Sequence, residues 1–181
     1  MPSKKIQPLF TIETPRTRED AIGIGRAQLR SWFETYPNKE IGVDKNWIQD
    51  QIGYITTSEG DDFRMQQIER LKKHDASLLY KIVKDANGHI QGFLHVSKNT
   101  TSARLDAIYL THEAQGTGVA YELMDRAVAF AGNLPIHLAV AAYNGRAVRF
   151  YEKYGFVKGA IDPELHRGKI PILNMHRKGG K

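Results

Sequence analysis

The segment from Ala103 to Ala141 most narrows what this chain can become. A predicted strand, Ala103–Leu110, leads into Gln115-Gly-Thr-Gly-Val-Ala120, then a helical stretch from about Gly118 to Ala131, then a buried strand at Pro135–Ala141. On the helical stretch Ala120, Leu123, Met124, Ala127, Val128 and Ala131 form one apolar stripe. Strand, glycine turn, helix and buried strand in that order form a βαβ-like unit whose helix covers a sheet. Small residues at 116, 118 and 120 let the backbone approach a ligand closely, and the helix start adds a partial positive charge. That combination suits a pyrophosphate. No Lys-Ser/Thr follows the glycines, and Tyr121 stands where a dinucleotide-binding loop needs its third glycine, so neither a Walker A loop nor a Rossmann fingerprint fits. Taken alone, two glycines at a strand end also fit a tight turn that merely needs them.

The rest of the pattern predicts helices first and an antiparallel meander next. Leu9–Ile12 reads as a first strand. Thr17 caps a helix with Asp20 three residues on, and Ile22, Gly25, Leu29, Trp32, Phe33 and Tyr36 fall at helical spacing. A second helix begins at Asp44, and a third runs from about Asp61 to Lys73 with Met65, Ile68 and Leu71 inward. Leu78–Lys84 and His89–Ser97 flank an Asn-Gly turn, the clearest hairpin in the chain. Asn144–Tyr154 reads as a short helix, and Phe156–Ala160 and Ile170–His176 close the sheet. The fold class is α/β (α+β), with a central mixed, mostly antiparallel sheet flanked by helices.

Composition bounds the class. With 181 residues, 41% hydrophobic and 25% charged, the chain is of a size and make-up for one globular domain, read as 1–176 with a basic tail at 177–181. Having no cysteine, it has no disulfide, thiolate metal site or cysteine nucleophile. There is no apolar run near a membrane span's length and no signal-peptide core at the start, so a cytoplasmic protein without a membrane partner is expected. The seven histidines show neither H-x-H nor H-E-x-x-H spacing, so no metal is expected. The net charge of +6 is concentrated: from Arg146 onward nine basic residues face three acids, and the remainder carries 17 of each. Such a bias fits nucleic acid, a phosphate-bearing cofactor or a solvated surface. Glycine–aromatic RNA motifs and a helix-turn-helix are lacking, which argues against nucleic acid.

A second cluster lies one helix and one strand downstream of the glycine turn. It reads Asn144-Gly-Arg-Ala147-Val-Arg-Phe150-Tyr151-Glu-Lys-Tyr-Gly155-Phe156, with Ala147, Phe150, Tyr151 and Tyr154 on one helical face. Together the two segments resemble the GNAT superfamily of N-acetyltransferases. Gln115, Gly118 and Ala120 meet its loop pattern Q/R-x-x-G-x-G/A, and Asn144 through Phe156 match N-x-x-A-x-x-F-Y-x-x-x-G-F without a gap.

The resemblance implies acetyl-CoA as cosubstrate and an amine as acceptor. It implies that Tyr109, Leu110 and Thr111 present backbone groups to the pantetheine arm, and that the N–H groups of Gln115, Gly116, Thr117, Gly118, Val119 and Ala120 hold the pyrophosphate. Asn144 matches the residue that bonds the pantetheine region, and Tyr151 the tyrosine beside the thioester sulfur. A phenol with pKa about 10 is protonated at neutral pH, so it suits a general acid for a departing thiolate. An alkyl amine is itself mostly protonated, so something must accept its proton; Asp106, four residues before Leu110, is one candidate, and a salt-bridged structural acid the equal alternative. His112 and His166 are further candidates without better support. Arg146, Arg149 and Lys153, spaced along the same helix as Tyr151, suit CoA phosphates or bulk solvent.

The resemblance implies that acceptor choice falls to the early helices, Ala21–Lys73, and the Asp162–Lys169 loop. Glu59, Asp61 and Asp62 suit a cationic amine or a plain solvated loop, and Trp32, Tyr36, Trp47 and Tyr54 suit a pocket or core. The expected partner is a small-molecule primary amine, polyamine-like, reached by direct transfer; a non-catalytic acyl-CoA sensor and a protein or peptide acetyltransferase are the alternatives. Relatives often dimerise, so a homodimer is possible.

Overall fold

The computed structural model describes residues 9–180. The first eight residues, where no signal-peptide core is expected, and Lys181 of the basic tail lie outside them. The elements are β1 (Phe10–Glu13), α1 (Arg18–Thr35), α2 (Lys45–Ile52), α3 (Ser58–Lys72), β2 (Leu78–Asp85), β3 (Ile90–Lys98), β4 (Ala103–Leu110), α4 (Val119–Ala131), β5 (Ile136–Ala141), α5 (Gly145–Lys153), β6 (Val157–Ile161) and β7 (Ile172–Arg177). They form one seven-stranded sheet of order β1-β2-β3-β4-β5-β7-β6, antiparallel throughout except for β4 beside β5. The expected mixed, mostly antiparallel sheet flanked by helices is what the chain forms.

Each face of the sheet has its own core. Val119, Leu123, Met124, Ala127 and Ala131 of α4 pack with Val148 and Tyr151 of α5 on Leu94, Val96 and Leu105. A fully buried Leu or Met contributes about 1.5–3 kcal/mol, so this stripe fixes α4 on the sheet. On the other face, Ile24 of α1 packs with Tyr80, Ile82 and Phe93, while Trp32, Ile48 and Ile52 form a further cluster with Ala141 and Ile170.

Local chemistry explains the ends. Thr17 and Asp20 form a reciprocal capping box at α1. Asp44 caps α2 by accepting from the Trp47 N–H. Gly88 takes the left-handed φ of +82° that the hairpin turn requires.

Several expectations need correcting. The buried residues of α1 include Ala21, Ile24, Gly25, Ala27, Ser31 and Trp32: Gly25 and Trp32 are buried as expected, whereas Ile22, Leu29, Phe33 and Tyr36 are only half-buried, because the helix packs on both the sheet and α3. Helix α3 begins at Ser58, and its buried residues are Gly60, Asp61, Arg64 and Ile68, with Met65 and Leu71 half-buried. The ion pair Arg64–Asp61 (2.7 Å) replaces part of the apolar face, and Arg64 Nε also donates to the Ala21 carbonyl at 2.7 Å. Arg177 is the last residue of β7 and donates to the Tyr154 carbonyl at 2.9 Å, so the basic tail starts later than expected. No helix among the described residues is long and apolar enough to cross a membrane.

Candidate active site

Strands β4 and β5 pair over only three residues, from Ala103↔Ile136 to Leu105↔Leu138. The cause is local. In the β3–β4 ladder Val96 faces Leu105 and His95 faces Ala107, which leaves Asp106 as an extra residue in β4. A bulge bends and twists its strand, and this one stands where β4 parts from β5. The facing edges beyond it are left without each other's hydrogen bonds, so backbone groups there are available to a ligand. They open a cleft of 620 Å³, floored by β4 and the divergent end of β5.

The glycine turn closes one end of this cleft. Gly116 and Gly118 have φ of +78° and +93°, and a Cβ at either would meet nothing within 4 Å. The positive φ, not crowding, is what requires glycine there. Among the described residues the N–H groups of 116–120 donate to no acceptor in the chain, as at any helix start. The Gln115 N–H differs, being committed to the Thr111 and His112 carbonyls. Its side chain ties the turn together: Nε2 donates to the Leu110 carbonyl at 3.0 Å, and Oε1 accepts from Arg146 at 2.5 Å.

Of the residues singled out in the sequence, Asp106, Tyr109, Leu110, Gln115, Gly116, Gly118, Ala120, Asn144, Arg149 and Tyr151 line the cleft. Thr111, Thr117 and Val119 do not. Thr111 is buried, its N–H and hydroxyl bonded to Gln91; Thr117 turns its hydroxyl to the Ala114 carbonyl; Val119 points into the core. Asn144 is the N-cap of α5, and its Oδ1 accepts from the Ala147 N–H at 3.1 Å, which leaves its amide NH₂ for another partner.

Tyr151 is 8% exposed at the cleft wall. Burial, reinforced by Tyr109, pushes its phenol far above the ordinary range and keeps it protonated. Burial likewise raises Tyr36, with Tyr109, Tyr151 and Tyr143 adding to the effect. Tyr36, Tyr109 and Tyr151 therefore line the cleft as neutral phenols, and Tyr143 donates its hydroxyl to the Tyr36 carbonyl at 3.0 Å.

Asp106 is not a lone carboxylate. Its Oδ2 lies 3.1 Å from His95 Nδ1 and its Oδ1 3.3 Å from Arg104. Burial works to raise its pKa, but bonds from His95 and Ser97 and the charges of His95 and Arg104 outweigh it, holding the carboxyl below its ordinary range. A carboxyl so stabilised is a weaker base than a free one. His112 lines the cleft rim, and its N–H donates to Glu34 Oε2 at 2.8 Å. His166 lies tilted beside Trp32 (6.3 Å between centroids), with its pKa lowered by burial and by Arg167.

Sequence reasoning missed Ser31, Glu34 and His95. Ser31 and Glu34 reach the cleft from α1; Ser31 is 1% exposed and its hydroxyl has no partner among the described residues. No local signal marks them, since only the packing of α1 across the sheet brings them there. Of the acids expected to attract a cation, Asp61 is neutralised by Arg64 and Asp62 pairs with Arg18 at 2.8 Å. No cluster of three or more His, Cys, Asp or Glu suited to a metal occurs among the described residues.

A family model described as an acetyltransferase (GNAT) domain matches residues 52–178. No curated protein matches the chain. Among solved structures, the PaiA N-acetyltransferase of Thermoplasma acidophilum, in complex with coenzyme A, superposes with a TM-score of 0.74 at 22% identity, covering 93% of this chain and 98% of that one. The ribosomal-protein-S5-alanine acetyltransferase of Vibrio fischeri gives 0.70 at 20% identity, covering 96% and 94%. Spermidine N-acetyltransferase of Vibrio cholerae, in complex with CoA and spermine, gives 0.63 at 22% identity, covering 93% and 94%. These likenesses establish a shared fold, and the family model spans most of the chain. A sheet that splays beside a glycine turn at a helix start is thus accompanied by a family match over the same residues, and the chain belongs to the GNAT family of acetyltransferases.

Proposed function

We propose that this protein transfers the acetyl group of acetyl-CoA directly to a primary amine of a small molecule, polyamine-like in character. The observation that carries the reading is the cleft between β4 and β5, which joins five free N–H groups, unpaired strand edges and a neutral buried phenol. The residues fit the cosubstrate. N–H groups of 116–120, aided by the start of α4, suit a pyrophosphate, and Arg146, Arg149 and Lys153 along the same rim suit the remaining phosphate charge. The edge of β4 at Tyr109 and Leu110, together with the Asn144 amide, suits the amide groups of a pantetheine arm. Acetyl-CoA supplies the activated thioester. Tyr151 stands as the hydrogen-bond donor to its sulfur and the source of a proton for the leaving thiolate.

The small-amine reading draws support from one structural neighbour, a spermidine N-acetyltransferase solved with CoA and spermine. A thiol-release assay with acetyl-CoA against polyamines, aminoglycosides and lysine peptides tests it. CoA release with an alkyl polyamine above all peptides is the expected result; release with none of these acceptors overturns it.

A further inference from the structure

Tyr121 follows the glycine turn in the first turn of α4, at the position where a dinucleotide-binding loop would carry glycine. Its N–H donates to the Gly118 carbonyl at 2.9 Å, so what it offers a ligand is its ring. Tyr121 lines the cleft and is 45% exposed, while Leu123 and Met124 of the same helix are buried. A single exposed aromatic residue is ordinary on a protein surface. What sets Tyr121 apart is how it is held.

Phe150 of α5 meets the Tyr121 ring edge-on, 5.4 Å between centroids at 66°, and Tyr154 lies tilted against it at 6.2 Å. Phe150 and Tyr154 also pack on each other, 5.4 Å apart. The Tyr154 hydroxyl lies 3.0 Å from the Tyr121 carbonyl and 2.9 Å from Asp125 Oδ1, which fastens the end of α5 to the start of α4. Asp125, one helical turn along the same face as Tyr121, is thereby occupied. The ring is thus fixed in place by two neighbours while much of its surface stays in water. Along the same wall of the cleft run the free N–H groups of 116–120 and the cations Arg149 and Lys153, on either side of Phe150 in α5. An anion-binding turn, two cations and an open, braced ring suit a phosphorylated nucleoside, since every base has a π-face to stack.

Resting on the acetyltransferase reading above, we propose that Tyr121 is the stacking platform for the adenine of the cosubstrate, and that it makes this protein select a nucleotide-bearing thioester over the same arm without its nucleotide. CoA and 4′-phosphopantetheine share the thiol and the pantetheine arm and differ only at the nucleotide end. Groups that hold the arm, such as the β4 edge and Asn144, treat the two alike. Only a group that meets the base separates them by its ring. Because Phe150 and Tyr154 hold Tyr121 in place before any ligand arrives, little side-chain freedom is lost on stacking.

The test measures binding of CoA, 4′-phosphopantetheine and adenosine 3′,5′-bisphosphate to the full chain by calorimetry. Tyr121→Ala weakens CoA and the bisphosphate about 5- to 100-fold, the usual loss when a stacking ring is removed, and leaves 4′-phosphopantetheine unchanged. Tyr121→Phe keeps the ring and binds all three as wild type does. A loss shared equally by CoA and 4′-phosphopantetheine means that the variant merely disturbs the turn, and overturns the assignment; so does a Tyr121→Ala protein with wild-type affinity for CoA. Proton spectra add a readout that a structural role would not move. The ring current of Tyr121 shifts the adenine H2 and H8 signals of bound CoA upfield, and Tyr121→Ala abolishes that shift. If wild-type protein acetylates amines but the adenine signals and the Tyr121→Ala affinities stay unmoved, the platform is refuted and the acetyltransferase reading stands. If the adenine signals respond and no amine is turned over, the acetyltransferase reading fails while the nucleotide site stands. Wild-type protein that binds no CoA refutes both.

Discussion

Leu105 and Leu138 are the last partners that β4 and β5 share. One residue later Asp106 bulges out of the β3–β4 ladder, and the two parallel strands separate. The whole candidate site follows from that parting, because the strand edges, the glycine turn and the Tyr151 wall all face the space it opens.

Tyr151→Phe removes one hydroxyl from the cleft wall and keeps the ring packed beside Phe156. Affinity for CoA, measured by calorimetry, is expected to change little. The turnover number falls about 10²-fold or more, the usual contribution of a placed proton donor. Unchanged turnover would remove Tyr151 from the chemistry.

Gly118→Ala places a Cβ at a φ of +93° with open space around it. The penalty is conformational, about 1–2 kcal/mol. Relaxing it turns the N–H groups of the α4 start, so weaker CoA binding accompanies a lower Tm. A variant with a lowered Tm and unaltered CoA affinity would separate this turn from the ligand.

Asn144→Ala deletes the cap of α5, which costs about 0.5–2 kcal/mol in a denaturant titration. Asn144→Ser retains a capping oxygen and loses the amide donor. Stability is then close to wild type while CoA binding stays weakened, and restoration of both by serine would leave Asn144 a cap alone.

Asp61→Ala leaves the buried Arg64 guanidinium with backbone carbonyls alone. Removing one partner of a buried pair costs about 3–5 kcal/mol, whereas Asp61→Ala combined with Arg64→Met is milder because no uncompensated charge remains. Urea unfolding of the single and double variants checks the order.

Asp20 sets an acid limit on stability. Burial works to raise its pKa, but the N–H groups of Arg16 and Thr17 and the Lys84 ammonium outweigh it, so the folded value lies below the ordinary one. The stability it contributes is complete above the unfolded pKa of about 3.9 and is lost as the pH falls through the folded value. The difference in urea midpoint between wild type and Asp20→Asn is therefore constant from about pH 5 to about pH 7 and shrinks below about pH 4. A difference that grows toward acid would reverse the sign assigned here.

Elements with dense local signals were legible in advance. The capping box at Thr17, the Asn-Gly hairpin and the stripe of α4 each depend on neighbours within a few residues, so their chemistry is written in short windows. The face of α3 is only partly legible: Ile68 is buried where periodicity expects it, but a buried ion pair shares that face, and a charged pair is invisible to a hydrophobic pattern. The role of Asp106 was only half legible. Its position on β4 is local, but its partner His95 is supplied by another strand, and the bulge that brings them together is a property of the ladder between them.

The sequence by itself determined the element types, the glycine turn with its positive φ, the capped helix that follows Asn144, and the family, since all of these reside in contiguous residues and their spacing. Only the tertiary structure decided which hydroxyls share the cleft, which carboxylates are already paired, and that Asp106 meets His95 across the β3–β4 ladder. The physical reason is distance along the chain: strand pairing, burial and ion pairing couple residues from separate elements, and no periodicity within either element encodes the register that brings them together.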